Sequence, residues 1–247
     1  QGDFKAAART LEPLAEAGPL SAQLETRLLL AQALAAGGDQ AGALAQFEAA
    51  KTDGSPALAE RLAVAKADVL ASLERHLEAA ELLELAIKAQ PDSPVLAGRL
   101  ALEWVRCGRV ADALDLQRRT WFAARENPAV QRNLLLLAEE LLAAHEPLAA
   151  LPCFAALTGD DLPPSMQTAG LWGAGRCLYE RQDWEAALER FEQLIETQPT
   201  APESAEAGLI AAQVLERLNR PDAALHQYQR LLDHKAADGV AARALLA

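Results

Sequence analysis

The chain has 247 residues and a formal net charge of −12, from 35 acidic against 23 basic side chains. Its 56 Ala and 44 Leu fill 100 positions, Val, Ile and Thr together fill 19 and aromatics make up 4%, so helix formers dominate, strand formers are scarce, and an all-α protein is predicted. The charge works against nucleic-acid phosphates and an anionic membrane face, and no apolar run reaches the roughly 18 to 20 residues that span a bilayer.

One phrase recurs along the chain: Gly2-Asp3-Phe4 followed by Ala7, Gly38-Asp39 followed by Ala43, and Asp183-Trp184 followed by Ala187. Filling the gaps gives seven anchors, Ala7, Ala43, Ala79, Ala113, Ala150, Ala187 and Ala224, at intervals of 36, 36, 34, 37, 37 and 37 residues. From the second anchor onward a small residue stands twelve positions earlier: Ala31, Ala67, Ala101, Ala138, Gly175 and Ala212. Two antiparallel helices can press their backbones together only where both carry little side chain, so each pair marks the crossing of a helix hairpin. In chain order, residues 1–20 are expected to form the second helix of one unit, 21–56, 57–92, 93–128, 129–164, 165–200 and 201–236 six hairpin repeats, and 237–247 the start of a further helix. An array that starts and stops inside a unit, and opens at Gln1 without a signal segment, is expected to be a mature form or an excerpt of a larger protein.

Each second helix continues its buried stripe four positions past the anchor with Leu11, Phe47, Leu83, Phe154, Phe191 and Tyr228, and seven past it with Leu14, Ala50, Ala86, Leu157, Leu194 and Leu231. Gln117 and Thr120 break the stripe in the fourth repeat, where Trp121 and Phe122 suggest a shifted register or an extended helix. First helices carry stripes such as Leu30 with Leu34, Leu137 with Leu141, and Leu100 with Trp104, which makes Trp104 a predicted core residue. Pro19, Pro56, Pro91, Pro128, Pro163 and Pro199 are expected to end the units.

This pattern resembles the tetratricopeptide repeat, with Trp172, Gly175, Leu178, Trp184, Ala187, Phe191 and Pro199 following in family order. The resemblance implies a right-handed superhelical solenoid of hairpins whose first helices line a concave groove. It also implies ligand contacts three before, one after and four after each small crossing residue. The corresponding candidates are Leu102, Val105, Leu135, Leu142, Trp172, Arg176, Tyr179 and Leu209. Their apolar side chains either form an exposed groove or complete the packing between neighbouring first helices. The residues one after the crossing also include Gln32, Asp68, Glu139 and Gln213. No Lys or Asn occupies the positions used to clamp a terminal carboxylate, and no asparagine ladder is present.

No catalytic constellation, cofactor motif or metal set emerges. His76, His145, His226 and His234 lack metal-site spacing, Gly170, Gly173 and Gly175 follow no strand, and Gly159-Asp160-Asp161 reads as a solvated acidic turn. Cys107, Cys153 and Cys177 form no disulfide framework and read as buried thiols. The expected function is a non-enzymatic scaffold that holds a protein or peptide partner, without nucleic acid or membrane insertion. The resemblance and the excess of Arg over Lys, 18 to 5, suggest a soluble bacterial protein of the periplasm or cytoplasm, in an envelope or secretion assembly. The alternative is a targeting or regulatory arm of an enzyme whose catalytic domain lies outside this sequence.

Overall fold

The computed structural model describes residues 4–17, 19–50 and 55–233. These residues form thirteen α-helices and no strand, an all-α solenoid fold of helix hairpins. Helix α1 (Phe4–Leu11) leads through a short 3₁₀ turn (Glu12–Leu14) into six hairpins. These are α2 (Leu20–Ala36) with α3 (Gln40–Ala49), α4 (Pro56–Ser72) with α5 (His76–Ala89), and α6 (Pro94–Arg106) with α7 (Val110–Ala124). They continue with α8 (Pro128–Ala143) and α9 (Pro147–Ala156), α10 (Pro164–Glu180) and α11 (Trp184–Thr197), and α12 (Pro202–Arg217) and α13 (Pro221–Asp233). The helix expected over 237–247 lies outside the described residues.

The chain falls into two compact units, Gln1–Arg118 and Arg119–Ala247. Within the first, α4 packs against the first helices α2 and α6 and against its hairpin partner α5. Within the second, α10 packs in the same way against α8, α12 and its partner α11. Each unit therefore presents a layer of first helices, backed by second helices that fill the gaps between successive hairpins.

Six of the seven anchors sit at the crossings: Ala43, Ala79, Ala113, Ala150 and Ala187 are wholly buried and Ala224 is 2% exposed. The small residues opposite, Ala31, Ala67, Ala101, Ala138, Gly175 and Ala212, are buried as well. Ala7 departs from the expectation. It is exposed, and its neighbour Ala8 is the residue that packs, in a cluster with Leu30 and Ala33 of α2. No described helix lies against the Ala7 face, so α1 is held only through the side that meets the next hairpin. Gln117 is buried despite its polarity and both its amide atoms lack partners. In the same repeat α7 runs to fifteen residues, against fourteen in α5 and α11.

The turn inside every hairpin is the same. Five residues before each anchor from the second onward, Gly38, Glu74, Gly108, His145, Gln182 and Asn219 adopt φ values between 57° and 91°. Each sits at the end of a first helix in a Schellman arrangement: the Asp39 N–H donates to Leu34 O and the Gly38 N–H to Ala35 O, and Glu146 to Leu141 with His145 to Leu142 repeats it. The prolines were expected to end helices. Instead Pro56 and Pro128, with Pro94, Pro164 and Pro202, occupy the first position of first helices, where a missing N–H costs nothing.

Candidate functional site

The layer of first helices carries the candidate residues, and the structure divides them. Leu102 and Val105 on α6, Leu142 on α8 and Leu209 on α12 are buried, between 3% and 7% exposed. Of the two alternatives, the exposed groove is therefore corrected to packing for these four, which belong to the broad apolar stripe that a helix packed on its neighbours needs. Leu135, Trp172 and Tyr179 are half-buried, and Arg176 is exposed. Trp104, expected in the core, is likewise only half-buried. Its indole N–H donates to Glu84 Oε1 at 2.9 Å, and the Arg109 guanidinium lies 4.5 Å from its ring centre.

In the second unit the face is aromatic. The Trp172 ring stands 5.8 Å from Phe191, tilted by 55°, and Arg176 lies 6.0 Å from the indole centre. Tyr179 meets Trp184 edge-on at 5.3 Å, with Arg217 on the Trp184 ring at 5.0 Å. Glycine makes this possible. A Cβ on Gly173 would come within 2.2 Å of the Phe154 ring, and one on Gly175 within 2.5 Å of Phe191. Gly173 and Gly175 are thus slots by which α10 settles onto α9 and α11.

In the first unit the same face is small and polar. Between α2 and α4 lies a cavity of about 240 Å³. Its apolar floor is Ala35, Ala65 and Val69, and its rim is Gln32, Gln40, Asp68 and Ser72. Asp68 Oδ1 is 2.7 Å from the Arg99 guanidinium of α6. Partial desolvation nevertheless raises the Asp68 carboxyl above its ordinary value, with Arg99 opposing and Glu103 adding to the shift, although the side chain stays 45% exposed. Deeper in α6, the buried Glu103 meets His76 Nδ1 at 2.8 Å and Arg106 at 2.9 Å, so its charge is already matched. Position alone could place Gln32 and Asp68, one residue past each crossing. The cavity that gathers Gln40 and Ser72 depends on helix spacing and left no sequence signal.

The remaining polar groups are structural. Burial pushes the Cys153 thiol to about 12 and the Cys177 thiol to about 11, so both stay protonated at neutral pH and are poor nucleophiles. The acidic turn is not merely solvated, since Asp161 is ion-paired to Arg125. Among the described residues no cluster of His, Cys, Asp and Glu could hold a metal ion, and no helix is long and apolar enough to cross a membrane.

Repeat geometry and known proteins agree. The family model of the tetratricopeptide repeat matches residues 1–59, 135–202 and 173–241. The chain belongs to the tetratricopeptide repeat family. No curated protein matches it. Solved structures share the fold, among them a tetratricopeptide repeat protein from Parabacteroides merdae, with 15% identity, a TM-score of 0.55, and 85% of this chain and 79% of that one covered. A putative kinesin light chain of Podosopora anserina, with nearly identical TPR-like repeats, has 17% identity and a TM-score of 0.51 over 74% of this chain and 97% of its own. YrrB, described as a TPR protein with an unusual peptide-binding site, has 19% identity and a TM-score of 0.49 over 75% and 91%. Tetratricopeptide repeat proteins are generally non-catalytic interaction scaffolds, and the fold suggests that role here.

Proposed function

We propose that this tetratricopeptide repeat chain is a scaffold that binds a peptide segment of a partner protein along the layer of first helices. The supporting observation is the position one residue past each crossing. Gln32, Asp68, Glu139 and Arg176 are exposed there and Gln213 is half-exposed, while Leu102 alone is buried. Flanking positions are mostly packed, so within each unit polar groups stand on an apolar backing. Such a surface can fix the orientation of a bound chain by hydrogen bonds at little cost in side-chain ordering. The second helices expose large apolar side chains such as Leu85 and Leu148, 66% and 69% exposed.

The test is a selection of peptide ligands from a random linear library on the full chain, followed by affinity measurements on variants. Gln32→Arg or Arg176→Glu should weaken binding about tenfold, as expected for losing a contact at an interface, whereas Leu85→Glu and Leu148→Glu should not. Ligands weakened only by the second-helix variants would contradict the proposal.

A further inference from the structure

Resting on the proposed peptide-binding face, we infer that the cavity between α2 and α4 is a subsite for a basic side chain of the bound segment, Lys or Arg. Its size limits the occupant. At about 240 Å³ it falls below the roughly 300 to 1,000 Å³ of small-molecule sites, which suits a single side chain. Its charge selects among side chains. Among the described lining residues Asp68 is the only charged one, and Gln32, Gln40 and Ser72 supply neutral oxygens around it.

The hydrogen-bonding inventory points the same way. Arg99 engages Asp68 Oδ1 at 2.7 Å, which holds the carboxylate in place while Oδ2 keeps acceptor capacity. The Ser72 hydroxyl donates to Val69 O at 2.7 Å, so its own oxygen is turned into an acceptor. An incoming ammonium or guanidinium brings donors only, and the rim offers a carboxylate, two amide oxygens and a hydroxyl. A carboxylate entering the same space would meet Asp68, and an apolar side chain would cover its remaining oxygen and the rim amides without offering a donor, both unfavourable. The alkyl stem of Lys or Arg would lie on Ala35, Ala65 and Val69. The chain's net charge of −12 favours the approach of such a partner.

The same random peptide selection tests this, now by composition. The selected peptides should be enriched in Lys or Arg, lose affinity as salt rises, and bind Asp68→Asn about tenfold more weakly. Ser72→Lys, at the exposed last residue of α4, supplies an internal cation and should block binding to the same degree without disturbing the Asp68–Arg99 pair, with circular dichroism confirming the fold. Substituting Lys for Arg in a selected peptide, and the reverse, shows which head group the cavity prefers. Basic peptides that bind both variants as tightly as the parent chain would overturn the inference. Peptides without basic residues that are still weakened by Arg176→Glu would overturn it too, and leave the first-helix face standing. Peptides indifferent to Gln32→Arg, Arg176→Glu and Asp68→Asn alike would remove both.

Discussion

Helices α4 and α10 occupy equivalent places in the two units, yet they present opposite chemistry on the same register. Three residues before the crossing stands Val64 in one and Trp172 in the other. One after it come Asp68 and Arg176, and four after it Ala71 and Tyr179. Two before it, Ala65 borders a cavity while Gly173 lies against the Phe154 ring. The hairpin requires small residues only at the crossing. Everything one turn away is free to vary, so identical backbone scaffolding carries a small acidic pocket in one unit and an aromatic, cationic surface in the other.

The position two before the crossing gives the largest expected contrast. Gly173→Leu must displace the Phe154 ring from the core and should cost about 3 kcal/mol, whereas Ala65→Leu can extend into open space and should cost about 1 kcal/mol or less. Urea midpoints of the two variants measure the difference, and equal losses would show that the first unit is packed as tightly as the second. The position three before comes next. Trp172→Ala strips a half-buried indole from Phe191 and should cost about 1 to 2 kcal/mol, against about 0.5 kcal/mol for Val64→Ala. Thermal denaturation checks this pair, and a Trp172→Ala variant as stable as the parent would mean that the indole is purely a surface group.

The smallest effect tests what the two units share. Glu74 and Gln182 hold the same left-handed turn at φ of 58° and 62°, a conformation that costs an L-residue about 1 to 2 kcal/mol and glycine nothing sterically. Glu74→Gly and Gln182→Gly should each gain about 0.5 to 1 kcal/mol after the entropy of glycine is counted. A gain in one unit and a loss in the other, read from denaturation midpoints, would break the equivalence of the hairpins.

These residues also show what the sequence makes legible. The crossings were readable because close helix approach demands Ala or Gly, a constraint on residue type that repeats with the period. Ala7 misled because the same residue type stands where no described helix covers it. The left-handed turns stand five residues before each anchor from the second onward, but only Gly38 and Gly108 announce them plainly; at Glu74, His145 and Gln182 the backbone imposes a conformation that the side chain does not advertise. Pro56 and Pro128 were visible as punctuation, yet proline suits the start of a helix as well as the residue beyond its end. The candidate face was half legible. Register named the rows, but whether Leu102 or Leu135 is covered depends on the distance between neighbouring first helices, which no residue pattern encodes.

The central claim is that ligands lie on the first helices. Photo-crosslinking reads this directly, with a photoreactive amino acid placed in turn at Gln32, Arg176 and Gln213 on the first helices and at Leu85 and Leu148 on the second. A selected peptide should form adducts from one or more first-helix positions and none from Leu85 or Leu148. Adducts confined to Leu85 or Leu148 would contradict the account.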